Sequence, residues 1–316
     1  VGGPVRVLLA GATGTIGTEL TRQLLDAGHE VVGLTRRGQG ADRLRDAGAE
    51  PVVADVLDRP ALLLALDGER ADAVIHEGTA LSRTPVRHRD LYPTNVLRTR
   101  GTANLLLAAR AVGARRFVTQ SFLFVYGFVD HGDAPVREDA PLGPSGDGEF
   151  GRHVAAMRST EQQVFRSGLE GVAMRYAFFY GNEPTTRELL DLAGRRLLPA
   201  PAHGSNMSLV HVADAAAATV AALERGRAGE AYNVADDHPL TWSEYFDALA
   251  EAAGAPRPWR LPDVVFRVSP YLGTVVTRVG LHLDTTKARR ELGWTPRYPS
   301  VRDGLAAVVG KRRTRG

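Results

Sequence analysis

The chain has 316 residues, 44% of them hydrophobic and 24% charged, with 34 glycines, 18 prolines and no cysteine. That supports one large α/β domain, or one domain with a smaller appended lobe, and argues against global disorder. Without cysteine there are no disulfides, thiolate metal sites or thiol nucleophiles, and a formal net charge of +3 with no Lys/Arg stripe between aromatics gives no case for nucleic acid.

Val5 to Ala10 is a short apolar run of the kind that forms a buried parallel strand, and Gly11-Ala-Thr-Gly14-Thr-Ile-Gly17 follows it directly. Thr18 to Ala27 has helical spacing, with Leu20, Leu24 and Leu25 on one face and Gly28 closing it. Strands are predicted at Val31 to Leu34, Pro51 to Ala54, Ala73 to His76, Arg116 to Thr119 and Gly171 to Tyr176. Helices are predicted at Arg43 to Ala47, Ala61 to Leu66, Val96 to Val112 and Glu161 to Ser167. Strands alternating with helices mean a doubly wound parallel sheet of Rossmann type, an α/β fold.

After about residue 180 the rhythm breaks. Pro184 to Ser208 reads as mixed and loop-like, Val212 to Glu224 as helix and Ala231 to Val234 as strand. Residues 254 to 285 are apolar and interrupted by Pro256, Pro258, Pro262 and Pro270. The expected division is a nucleotide-binding domain of residues 1–180 plus about 208–235. A smaller C-terminal substrate lobe takes residues 181–207 and 236–316, with an apolar lid at 255–285. No apolar stretch reaches the ~18–20 residues of a membrane span. The longest, Val212 to Leu223, carries Asp214. The N-terminus has no signal pattern, so a cytoplasmic location is expected. The basic tail, Lys311 to Arg315, reads as a solvated end.

The glycine loop is the first functional candidate. Between a strand and a helix, a turn without side chains lets backbone N–H groups and the helix N-terminus approach a pyrophosphate. The expected contacts are Gly11, Thr13, Gly14, Thr15, Ile16 and Gly17. An acid at the end of the second strand would bind a ribose 2′-hydroxyl; here Arg36 and Arg37 stand there, with no acid before Asp42. An arginine pair suits a 2′-phosphate, so NADP(H) is the expected cofactor. Asp55, after the third strand, is expected beside the adenine.

These residues resemble the extended short-chain dehydrogenase/reductase family of the NAD-dependent epimerase/dehydratase type. The resemblance runs along nearly the whole chain: Gly11 to Gly17, Asp55-Val56, Asp72-Ala-Val-Ile-His76, Val125-Tyr-Gly127, Arg175 to Gly181, Leu209-Val-His-Val-Ala-Asp214, Tyr232-Asn-Val234 and Leu292-Gly-Trp-Thr-Pro296. Asn95 to Leu105 is similar to a family helix, with an insertion. By this resemblance Val56, Gly78, Thr79, Ala80, Thr119, Ser121, Tyr176 and Phe179 line the cofactor or the reaction site.

The family moves protons with a tyrosine, a lysine four residues on, and a serine or threonine. Lys287 and Lys311 are the chain's two lysines, and Leu283 and Ala307 stand four residues before them, so the pair cannot be built. In a register anchored on Glu161 and the distance to Arg175, His153 holds the tyrosine position and Met157 the lysine position. A register from Phe150-Gly-Arg gives Phe150 and Val154. The serine position holds Phe122, beside Ser121. Three substitutes are open: His153, whose unperturbed pKa near ~6.5 suits a donor; Ser121 or a water; or a phenol on the substrate. Tyr126 reads as structural, and no metal site is expected.

The composition, rich in Ala, Arg and Gly and poor in Lys, resembles that of GC-rich genomes, where tailoring enzymes of aromatic polyketide (antibiotic) pathways are common. The reading is therefore an NADPH-dependent ketoreductase acting on a large aromatic ketone, with the substrate assisting its own protonation. A catalytically silent NADP(H) sensor is the alternative. A sugar-nucleotide epimerase or dehydratase is disfavoured, because that chemistry leans on the missing pair.

Overall fold

Val, Leu and Ile runs flanked by amphipathic segments leave the chain one economical solution, a central sheet covered on both faces. The computed structural model describes residues 3–81 and 83–313. In chain order the elements are β1 (Arg6–Ala10), α1 (Thr15–Asp26), β2 (Glu30–Thr35), α2 (Gly38–Asp46), β3 (Glu50–Val53), α3 (Arg59–Ala65) and β4 (Ala73–His76). A short 3-10 turn (His88–Leu91) leads into α4 (Tyr92–Val96), a π-helical segment (Leu97–Gly101) and α5 (Thr102–Ala111). Then come β5 (Arg116–Phe122), α6 (Glu149–Phe165) and β6 (Glu170–Tyr176).

The second part holds β7 (Phe178–Tyr180), α7 (Pro184–Gly194), β8 (Ala200–Pro201), β9 (Asn206–Met207), β10 (Leu209–His211), α8 (Val212–Arg225) and β11 (Glu230–Val234). It continues with β12 (Leu240–Thr241), α9 (Trp242–Ala252), β13 (Arg260–Leu261), α10 (Asp263–Phe266), α11 (Pro270–Arg278), α12 (Thr286–Leu292) and α13 (Val301–Arg313).

Seven strands pair in the order β11-β6-β5-β4-β1-β2-β3, all parallel. The order reverses between β1 and β4, and the loops leaving those strands open the crevice where this architecture holds a dinucleotide. Alternate residues of each strand serve opposite faces: Leu9 and Ile75 pack on the side of α1 and α8, Leu8 and Val74 on the side of α3 and α5. A third cluster, built from Leu190, Tyr245, Leu249, Val301 and Leu305, sits under α7, α9 and α13.

Two expectations are corrected. Pro184 to Gly194 is a helix, not loop: Glu183 caps it by accepting from the amides of Thr185 and Thr186, and Pro184 occupies its first turn. The predicted helix at Glu161 to Ser167 is only the end of α6, which begins twelve residues earlier at Glu149. The buried face of α6 carries His153, Thr160 and Glu161 among Val154, Met157 and Val164, so polar residues interrupt the apolar periodicity. Between α4 and α5 the helix runs on through the π-helical segment Leu97–Gly101, a wider turn that does not break it. The basic tail beyond Arg313 lies outside the described residues.

Candidate active site

The cradle at the first turn is shaped by what its glycines lack. Gly11 has φ +88°, and a Cβ there would meet the Glu77 carbonyl carbon at 2.7 Å; a Cβ on Gly17 would fall 2.0 Å from the Gly11 oxygen. Helix α1 starts from Gly14 with no side-chain cap, so the amides of its first turn face the loop unspent. The residues present fit a diphosphate. Arg36 and Arg37 follow the last residue of β2 and are exposed, with no ion pair to either among the described residues. Asp55 follows β3 at the same edge, where its carboxylate accepts from the Leu57 amide, and the Val56 carbonyl accepts from Asn104. Gly78, Thr79 and Ala80 leave β4 beside Gly11, with the Ala80 amide donating to Thr94.

Glu77, which the sequence reading passed over, sits where this loop meets the sheet. It is almost fully buried, accepts a hydrogen bond from Tyr176 at 2.9 Å, and is pushed up to about 8 by burial. Near neutral pH it is a neutral carboxylic acid. Tyr176 and Thr219 lie 2.6 Å apart in the same network. The expected contact role of Tyr176 is therefore corrected: its hydroxyl is consumed inside the fold, whereas Phe179 packs on its ring at 5.4 Å and remains partly exposed. Thr119 is also buried within β5, its hydroxyl turned to the Gln120 carbonyl.

The candidate reaction site lies where β5 and β6 end and α6 begins. Phe122 points into an aromatic wall, edge-on to Phe124 and Phe178 at 5.3 Å each, and Phe178 meets Trp242 at 5.2 Å. Phe128 and Phe150 continue the wall toward Tyr271 of α11.

Ser121 is corrected as a proton relay. Its hydroxyl donates to Glu161 at 2.7 Å, and Glu161 is held by Arg175 through two hydrogen bonds of 2.9 and 2.8 Å. Arg175 also donates to Tyr126, which donates to Asn233 at 2.7 Å. These groups are a closed, buried ionic network. Tyr126 belongs to it, and burial raises its phenol to about 12.

His153 is neither a surface histidine nor an ordinary acid. It is 1% exposed, and burial with the neighbouring His88 and Arg98 pushes it down to about 4, so near neutral pH it is uncharged. Its Nδ1 is 2.8 Å from Asn95 Nδ2 and its Nε2 is 3.1 Å from His88 Nδ1. Glu149 accepts from Tyr92 nearby, and His88, Glu149 and His153 bring ligand-type atoms within 4.8 Å of one another. Neither His88 nor Asn95 announced itself in the sequence. His88 sits in an irregular loop, and Asn95 reads there only as part of a helix motif. Met157 and Val154, which the two registers expect at the lysine position, are both buried and apolar. Lys287 pairs with Glu230 at the start of β11, the strand beside β6, away from the carboxyl ends of β5 and β6.

The sequence profile of the NAD dependent epimerase/dehydratase family matches residues 7–235. The chain is 38% identical over 315 residues to a 3-diazoavenalumate denitrifying reductase from a Streptomyces species, covering 95% of this chain and 99% of that protein. It is 25% identical to 4-hydroxy-2-methyl-3-oxo-4-farnesyl-3,4-dihydroquinoline-1-oxide ketoreductase from Stigmatella aurantiaca, covering 96% of each. A dTDP-glucose 4,6-dehydratase from Streptomyces venezuelae, solved with NAD bound, superposes with a TM-score of 0.77 at 25% identity, covering 98% of this chain and 97% of that one. The protein belongs to the NAD dependent epimerase/dehydratase family, and a nicotinamide dinucleotide is the cofactor its glycine cradle fits.

Proposed function

We propose that the protein is an NADPH-dependent reductase that delivers hydride to a large aromatic ketone whose own hydroxyl group supplies the proton. The observation that carries this reading is that the chain cannot build a tyrosine–lysine pair: one register sets the neutral, buried His153 and Met157 at those positions, the other Phe150 and Val154, with Phe122 at the serine position. No protein group there has a proton to give near neutral pH. A bound nicotinamide dinucleotide supplies the hydride. The glycine cradle and the α1 N-terminus hold its diphosphate, and Arg36 and Arg37 favour a 2′-phosphate. Phe122, Phe128, Phe150 and Phe178 stack against a flat ring system and exclude water. Hydride adds to the carbonyl carbon, the carbonyl π pair becomes an alkoxide, and an adjacent phenol on the substrate protonates it; water then reprotonates the phenolate.

The 38% relative favours a second reading. An aryldiazonium that accepts hydride leaves as the arene plus dinitrogen and forms no alkoxide, so it too dispenses with the missing acid. One experiment separates the readings. The protein is given NADPH with a hydroxylated polycyclic aryl ketone, its O-methyl ether, and an ortho-hydroxyaryl diazonium. The expected outcome is carbinol from the hydroxyketone and a loss of roughly 100-fold with the ether, the scale of one missing oxyanion donor. Dinitrogen release with an inert ketone would transfer the assignment to diazo reduction. NADPH binding with no oxidation by any of the three would make the protein a silent cofactor-binding module.

A further inference from the structure

We propose that His88 donates the hydrogen bond that polarises the substrate's hydride-accepting group, and that His153 and Asn95 are positioning residues that fix the ring nitrogen on which His88 carries its proton. The inference rests on the reductase reading and adds to the site a residue that the family's tyrosine position does not include.

The argument is one of donors and acceptors. With the Asn95 amide turned so that Nδ2 lies 2.8 Å from His153 Nδ1 and Oδ1 is left without a partner, the amide nitrogen donates and His153 Nδ1 accepts. The single proton of a neutral His153 is then on Nε2, which donates across 3.1 Å to His88 Nδ1. His88, kept uncharged by burial, carries its own proton on Nε2. That N–H has no acceptor among the described residues, and its nitrogen is not among the sealed orphan atoms, unlike Nε2 of His76. It opens among aromatic rings: Phe150 lies edge-on to His88 at 4.6 Å and Tyr271 at 5.7 Å. A neutral imidazole N–H keeps its proton and polarises an oxygen without protonating it, which is compatible with a substrate hydroxyl giving the proton.

The turn that carries His88 is tied to its neighbours. Asp90 accepts from the amides of Val86 and Arg87 and so holds the turn that presents it. The Val86 carbonyl accepts from Ser269 and from the Leu272 amide, which ties the turn to α11. The charged and titratable groups facing the histidine pair are Glu149 from α6, Arg98 from the π-helical segment, Tyr92 from α4 and Tyr271 from α11.

The test uses the full chain with NADPH bound. Long-range ¹H–¹⁵N spectra of ¹⁵N-histidine protein should show His88 and His153 both protonated on Nε2 at pH 8. His88→Phe should lower kcat by roughly 10²–10³, as for other single donors to a developing oxyanion, with NADPH affinity changed less than about twofold. In Asn95→Asp the carboxylate draws the proton to His153 Nδ1 and reverses both hydrogen bonds. It should lose as much kcat and move the His88 proton to Nδ1, which a merely structural role would not do. His88 protonated on Nδ1 in the unaltered protein overturns the proposal. So does His88→Phe retaining more than about a third of kcat, or stoichiometric zinc bound between the two histidines. A protein inert toward every ketone and diazonium sinks the reductase reading itself. An active protein indifferent to His88→Phe sinks only the histidine assignment.

Discussion

Two polar regions meet at the carboxyl edge of the sheet and are built on opposite terms. Around Glu161 the fold consumes what it displays: Ser121, Arg175, Tyr126 and Asn233 each find a partner in the protein. Along the rim, Arg36, Arg37 and the outer nitrogen of His88 find none among the described residues. The contrast separates polar groups that hold the shape from those kept for something outside it. Charge and rarity in the sequence do not make that distinction, since Ser121 looks more catalytic there than His88 does.

The sharpest way to break the contrast is Glu161→Ala. It strands the Arg175 guanidinium, 5% exposed, and should cost about 3–5 kcal/mol of stability, read from urea unfolding. If the buried network only supports the fold, the folded fraction should still bind NADPH with ordinary affinity. A second measurement tests the rim. Replacing Arg36 and Arg37 with alanine should weaken NADPH by roughly 10- to 100-fold through lost charge-assisted hydrogen bonds, with NADH and the unfolding midpoint nearly unchanged. Equal loss for both cofactors would remove the 2′-phosphate assignment.

Glu77 sharpens the comparison from between the two regions, because it is consumed by Tyr176 yet lies against the cradle. Its folded pKa, about 8, is raised above the usual 4.5 by burial, so the folded state prefers the protonated form. Its contribution to stability is complete below pH 4.5 and is lost as pH rises through 8, at up to about 1.4 kcal/mol per pH unit. Glu77→Gln should flatten that part of the stability curve. An unchanged slope between pH 5 and 8 would place the carboxylate in a more polar setting than the one described.

The sheet was legible because its strands are short apolar runs punctuated by glycine loops, and the family order of motifs followed from them. The cradle was legible for the same reason: close approach of backbone demands glycine at Gly11 and Gly17, and few other needs imitate that spacing. Helix α6 was only half visible, since His153, Thr160 and Glu161 occupy buried positions where the periodicity expects apolar residues. Glu77 was hidden because a carboxyl after Val74-Ile75-His76 reads as a strand reaching solvent. The pairing of His88 with His153 spans 65 residues, and no local pattern encodes it. The missing lysine, by contrast, needed only a count.

That scarcity has a chemical consequence for whatever occupies the cleft. The chain has no thiol, and Lys287, its amine tied to Glu230, lies at the start of β11, away from the carboxyl ends of the strands. The phenol of Tyr271 is held protonated by burial and that of Tyr92 by Glu149. Among the described residues, a carbonyl lodged against Phe122 therefore meets no amine with which to condense into an imine, and an aryldiazonium meets no phenoxide with which to couple into an azo dye. The missing lysine thus closes the imine route to a bound ketone.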